Sequence, residues 1–154
     1  MKMDTTLGRD TLKTYYGHAA TTERPASVMV RDQRPQALAH HVRHSPTGFN
    51  WGYGGSGPSE LSRCILLDSF GITECPFTPN ECQCQSSWVE PTYQGFLSDV
   101  VSKLAKDEDW KLYQQDIADW VFDYLGRVKE EEELSRGLSE GPSGGSPVPA
   151  GATL

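Results

Sequence analysis

The residues able to do chemistry crowd into the first third of the chain. All four histidines, His18, His40, His41 and His44, lie there. Three of them lead into His44-Ser45-Pro46-Thr47-Gly48-Phe49-Asn50-Trp51-Gly52-Tyr53-Gly54-Gly55-Ser56-Gly57-Pro58, which holds five glycines, two prolines and three aromatics in fifteen residues. Two chemistries fit these residue types. The first is nucleophilic: Ser45 or Ser56 attacks while His40, His41 or His44 takes the proton, which requires nucleophile, base and orienter within mutual reach. The second is binding. Glycines admit positive φ and close approach of another backbone. The free N–H groups of a helix opened by Pro58 favour an anion. Gly54, Gly55, Ser56 and Gly57 would then cradle a phosphate or carboxylate, His44, Ser45 and Thr47 would add donors, and Trp51 and Tyr53 would stack on a ring.

The spacing separates these readings. No Gly-Lys-Ser/Thr follows, so the loop is not a Walker loop. Gly52-x-Gly54-x-x-Gly57 matches a dinucleotide fingerprint in letters, but no apolar strand precedes it and no βαβ unit surrounds it. Gly55-Ser56-Gly57-Pro58 is not a nucleophile elbow. The expectation is therefore a binding loop, with no residue assigned to catalysis. The bland reading stands beside it: a tightly turned loop whose aromatics plug the core.

The cysteines give no clear metal site. Cys64 falls in a helical pattern and reads as a small buried hydrophobe. Cys75, Cys82 and Cys84 are spaced C-x6-C-x-C, unlike the C-x2-4-C knuckles of structural zinc. A zinc ion would have to draw on these three and a histidine from 40–44. The expectation is reduced thiols, no metal and no cofactor.

Charge is unevenly spread. The chain of 154 residues carries −7. Residues 1–50 hold +3, residues 51–104 hold −4 and residues 105–154 hold −6. A sequence pI near 5.0 argues against a broad nucleic-acid surface, because neutralising phosphates needs clustered Lys and Arg. Asp119 and Asp123 mark an acidic helix face suited to a basic partner. No run of 18 apolar residues exists, so no membrane span is expected. The opening residues lack an apolar core, so no secretory signal is expected, and the cytoplasm is the expected compartment.

Three helices and two or three strands must position these residues. Leu61, Cys64, Ile65, Leu67 and Phe70 predict a helix over 58–70, with Glu60 favouring its positive start and Gly71 suiting a left-handed cap. Tyr93, Phe96, Leu97, Val100, Val101 and Leu104 predict a helix over 92–105. Ile117, Trp120, Val121, Tyr124, Leu125 and Val128 predict one over 116–133, with Gly137 just past its end. Leu12–His18 and Ser27–Arg31 read as strands. Asp109–Tyr113 reads as an edge strand or the lead-in to the last helix. The expected fold is a small α+β domain over 12–134, two or three antiparallel strands packed with about three helices. Residues 1–11 are expected to be flexible. Residues 135–154, rich in Gly, Pro and Ser, are expected to form a disordered tail.

The string from His44 to Pro58 resembles the hallmark of domain-of-unknown-function family 6166, found in bacteria and phages. The resemblance extends from Tyr15-x-Gly17 through Leu67 and Asp68. It resumes at Tyr93-Gln94-x-Phe96 and runs to Trp110 and Asp116-Ile117. Asn50 stands where an acidic residue is usual, and the cysteine-bearing stretch 72–89 looks like an insertion. The family brings no activity; the resemblance implies a phage or mobile-element setting. The combined expectation is a small non-enzymatic binding protein that inhibits or modulates a host defence or nucleic-acid-handling protein through its acidic face and the 44–58 loop. The alternative is a module for a nucleotide or other anionic metabolite at the loop, and a less favoured one is a hydrolase using His44 and Ser45.

Overall fold

The computed structural model describes residues 12–72 and 88–144, the last seven of these as helical backbone alone. Its elements in chain order are β1 (Thr14–His18), β2 (Ser27–Arg31), β3 (Pro35–Ala37), α1 (Ser56–Ser69), α2 (Val89–Asp99), a 3-10 turn (Val101–Lys103), β4 (Trp110–Tyr113) and α3 (Gln114–Gly144). The fold is α+β, as expected, but the sheet has four antiparallel strands in the order β3-β2-β1-β4. β3, the added strand, is three exposed residues beginning with proline. Proline is tolerated at a strand's first position or on an edge, and nothing in such a segment alternates. β4 resolves the ambiguity at 109–113 in favour of an edge strand, pairing Tyr15 with Leu112 and Gly17 with Trp110.

The chain divides into two compact units, Met1–Val121 and Phe122–Leu154. The first holds the sheet. Its inner face presents Tyr15, Val28 and Val30 to a core shared with Leu61, Ile65, Leu66, Phe96, Val101 and Ile117. β1 is also tied to α1 by polar contacts: the Tyr15 hydroxyl donates to Asp68 Oδ2 at 2.6 Å, Ser69 Oγ donates to that hydroxyl at 3.0 Å, and Lys13 Nζ lies 3.2 Å from the same carboxylate. Burial and the Asp68 hydrogen bond raise the Tyr15 phenol above its ordinary range, so it stays a donor.

α1 ends as Gly71 suggests. Gly71 has φ of +62°, its N–H donates to Asp68 O, and Ile72 N donates to Leu67 O, the paired bonds of a Schellman cap. The helix begins two residues before Pro58. α2 spans 89–99 rather than 92–105. Its apolar stripe continues inward through Val101, but the backbone leaves the helix at Val100 (φ −122°, ψ −64°), where two β-branched residues meet.

α3 corrects a second boundary. It starts at Gln114 and runs through Gly137 to Gly144, taking in part of the expected tail. The run Glu130–Leu134 is rich in helix formers, and each added residue closes one more bond once a helix exists. Residues 145–154 lie outside the described residues, as do 1–11 and most of the expected insertion, 73–87. Within the first unit Ile117 and Val121 are buried. In the second, Tyr124 and Val128 are partly exposed, while Phe122 and Leu125 are exposed. Among the described residues no helix is long and apolar enough to cross a membrane.

Candidate functional site

The 44–58 loop is anchored from both ends. Trp51 is 1% exposed. Its indole N–H donates to Glu108 O at 3.1 Å, and its ring meets Trp110 edge-on at 5.6 Å. Gly52 follows with φ of +85°; a Cβ there would stand 2.7 Å from Lys106 Cβ and 2.9 Å from Leu104 O. This position needs glycine on both counts. The turn sends Gly52 N–H to Val101 O at 3.0 Å. Trp51 is thus a core plug, with no free ring face for stacking.

The other anchor is Glu60. Its side chain is completely buried. It accepts from Arg43 N at 2.9 Å, His44 N at 3.0 Å and Ser45 N at 3.3 Å, and it meets His40 Nε2 at 2.9 Å. Burial pushes this carboxyl upward, but the three backbone donors and the imidazole outweigh it and hold the group below its ordinary value. Glu60 is ionised and gathers successive N–H groups into a fixed turn. Sequence reasoning placed it at the helix start as a charge for the dipole; the structure turns it inward onto the loop instead.

A second layer surrounds this clamp. Arg63, 2% exposed, donates to Glu90 Oε1 at 3.2 Å and to His41 O at 3.3 Å, and Arg43 also reaches Glu90. Burial and the nearby Arg43 charge lower the Arg63 guanidinium from its ordinary value. Tyr93 Oη and His44 Nε2 are 3.0 Å apart, while Ser45 Oγ lies 3.4 Å from Thr47 Oγ1. The His44 and Ser45 side chains thus meet different partners, Tyr93 and Thr47. His41 N–H donates to Cys64 Sγ at 3.4 Å. Burial pushes the Cys64 thiol up to about 11. Peptide-level mass spectrometry after iodoacetamide treatment at pH 8 should find Cys64 unmodified in the folded protein and alkylated in guanidinium, because the thiolate is the reactive form. Alkylation of Cys64 in the native state would contradict this burial.

What remains outward is narrower than the expected site. Thr47, Gly54 and Ser56 are exposed, Gly55 is partly exposed and Gly57 is buried. Tyr53 is 38% exposed, with Lys106 Nζ 5.4 Å from its ring centroid. On α3, Asp119 is exposed and accepts from Gln115 Nε2 at 2.9 Å. Asp123 is exposed and lies 3.2 Å from Arg127 Nε. Cys75, Cys82 and Cys84 lie outside the described residues, and among the described ones no group of three or more His, Cys, Asp or Glu is placed to hold a metal. Sequence reasoning gives Glu60 and Tyr93 only helical roles and assigns none to Arg63 or Glu90. The usable signal was Glu60 and Arg63 three apart on a helix, interleaved with Leu61, Cys64 and Ile65.

Residues 15–78 match the model of a family described as "Family of unknown function (DUF6166)", the family that the His44–Pro58 string resembles. No curated protein and no solved structure matches the chain.

Proposed function

We propose, for a chain whose residues 15–78 match that family, a non-enzymatic binding protein that presents the outer part of the 44–58 loop to a protein partner. One observation carries this reading. Glu60 spends its carboxylate on the His40 imidazole and on the backbone N–H groups of Arg43, His44 and Ser45, which fixes the shape of the loop. A loop fixed before binding loses little conformational entropy on docking. Tyr53 supplies the amphipathic aromatic anchor that interfaces favour. Asp119 and Asp123 supply negative charge for a basic partner. In a phage or mobile-element setting the partner is a host protein, and the outcome is inhibition or modulation of it. The alternative of an anionic metabolite at the start of α1 loses the Trp51 ring it relied on.

The test is affinity capture from the natural host, read by quantitative mass spectrometry, with wild type, Tyr53→Ala and the double charge reversal Asp119→Lys/Asp123→Lys compared side by side. A specific partner should fall at least about tenfold with Tyr53→Ala, the scale of an interface hot spot. The charge reversal should weaken capture at low salt more than at high salt. A partner captured equally by all three proteins would overturn the proposal.

A further inference from the structure

The outer face of the sheet carries chemistry that the loop does not use. Tyr15, Val28 and Val30 point inward, so Thr14, Tyr16 and Arg31 point outward, as do Lys111 and Tyr113 on β4. The register places Thr14 opposite both Arg31 and Tyr113, and Tyr16 opposite Lys111. Lys111 Nζ lies 5.5 Å from the Tyr16 ring centroid and 5.9 Å from that of Tyr113. Tyr113 is 50% exposed. At this end of the sheet opens a cleft of about 780 Å³, lined among others by Thr14, Tyr16, Arg31, Gln33, Tyr113 and Asp116. That volume lies within the ordinary range of small-molecule sites.

The lining specifies a ligand. Tyr16 and Tyr113 line the cleft, and each ring has a second face, away from Lys111, for an aromatic ring. Arg31 offers positive charge in the planar fork that suits phosphate; Lys13 also lines the cleft, and Asp32 and Asp116 balance the two cations there. Asp116 opposes a ligand that is only an anion, but its carboxylate accepts from an exocyclic amino group, and the Gln33 amide both donates and accepts. A flat ring bearing amino or carbonyl groups, joined to a phosphate, satisfies all four features together.

We propose that this cleft binds a nucleoside phosphate, with the base against Tyr113 and Tyr16, its polar edge toward Asp116 and Gln33, and its phosphate at Arg31. The same chemistry is offered by a free nucleotide and by one unpaired nucleotide of a single strand. The site is separate from the 44–58 loop and its residues.

Isothermal titration of the full chain tests this, using the four ribonucleoside 5′-monophosphates, ribose 5-phosphate and a single-stranded hexanucleotide. At least one base-bearing probe should bind, and ribose 5-phosphate should bind tenfold more weakly or not at all. A preferred monophosphate identifies a free nucleotide as the source; a preferred hexanucleotide identifies a single strand. Tyr113→Ala should weaken binding roughly tenfold, the scale of one lost stacking partner. Arg31→Gln should weaken it and flatten its salt dependence, while Tyr53→Ala should leave it unchanged. Circular dichroism confirms that each variant is folded. The proposal is overturned by no binding of any base-bearing probe, by ribose 5-phosphate binding as tightly as the nucleotides, or by affinity that neither Tyr113→Ala nor Arg31→Gln moves.

Discussion

Glu60→Ala should cost the protein about 3–5 kcal/mol of unfolding free energy, the range for removing one partner from a buried charged network. The methyl group would leave the N–H groups of Arg43, His44 and Ser45 and the imidazole of His40 facing a void in place of a carboxylate. Each buried donor left without an acceptor carries its own desolvation cost of about 1–3 kcal/mol. Total stabilities of about 5–15 kcal/mol make this a large share, so loop order and partner capture should fall with it. Glu60→Gln is the informative companion. It keeps one acceptor oxygen but turns an amide NH2 toward backbone donors, so its cost should be smaller, about 2 kcal/mol. Urea denaturation measures both through the shift in midpoint at constant slope. A loss under about 1 kcal/mol for Glu60→Ala would show that the carboxylate does not hold the loop.

The same clamp gives a sign for the pH dependence. The Glu60 carboxyl is held below its ordinary value of 4.5. The folded protein therefore binds this proton less readily than the unfolded chain does. The resulting stabilisation is fully present above the unfolded value. It shrinks as pH falls below that value and is gone once the folded-state carboxyl is protonated. The stability advantage of wild type over Glu60→Gln should follow this course, declining as pH falls below the ordinary carboxyl value of 4.5. An advantage that grew as pH falls below 4.5 would reverse the assignment.

How much of this was legible in the sequence follows from which interactions are periodic. β2 is legible with its observed ends because Val28-Met29-Val30 is apolar and β-branched, and α1 through its apolar run and Gly71. β3 has no alternation to read. The 44–58 loop stood out by composition, but composition does not say which side chains turn inward. Trp51 turns into the core, where its indole N–H meets the Glu108 carbonyl across the fold. Glu60 was legible only as a charge near a helix start; its role depends on the Arg43–Ser45 N–H groups meeting it across the fold, a contact that no local pattern encodes. The cleft on the sheet was invisible for the same reason. Tyr16, Arg31 and Tyr113 are far apart along the chain and become neighbours only through the β2-β1-β4 register.

Gly17→Ala should be among the most damaging single-methyl additions to the fold. Gly17 is buried on β1 directly opposite Trp110 on β4. A Cβ there would stand 2.0 Å from Trp110 Nε1 and 2.1 Å from Cε2, far inside van der Waals contact. The indole therefore lies flat on the glycine, which explains why its N–H is buried without a hydrogen-bond partner: burying the ring places the N–H over the strand rather than toward an acceptor. The ring cannot slide away freely, because it also packs against the buried Trp51. Alanine must then push Trp110 and with it β4, at a cost of about 3 kcal/mol, the upper part of the overpacking range. Because β4 carries Tyr113, which lines the cleft, nucleotide binding there should weaken in the same variant. A double-mutant cycle with Trp110→Leu separates this clash from any general effect on the strand. Leucine removes the obstructing ring, so the double variant should be more stable than the sum of the single losses predicts, by about 1–2 kcal/mol of coupling. Additivity within about 0.5 kcal/mol, the spread expected for independent sites, would mean that Trp110 does not rest on Gly17 and that the register of β4 is set elsewhere.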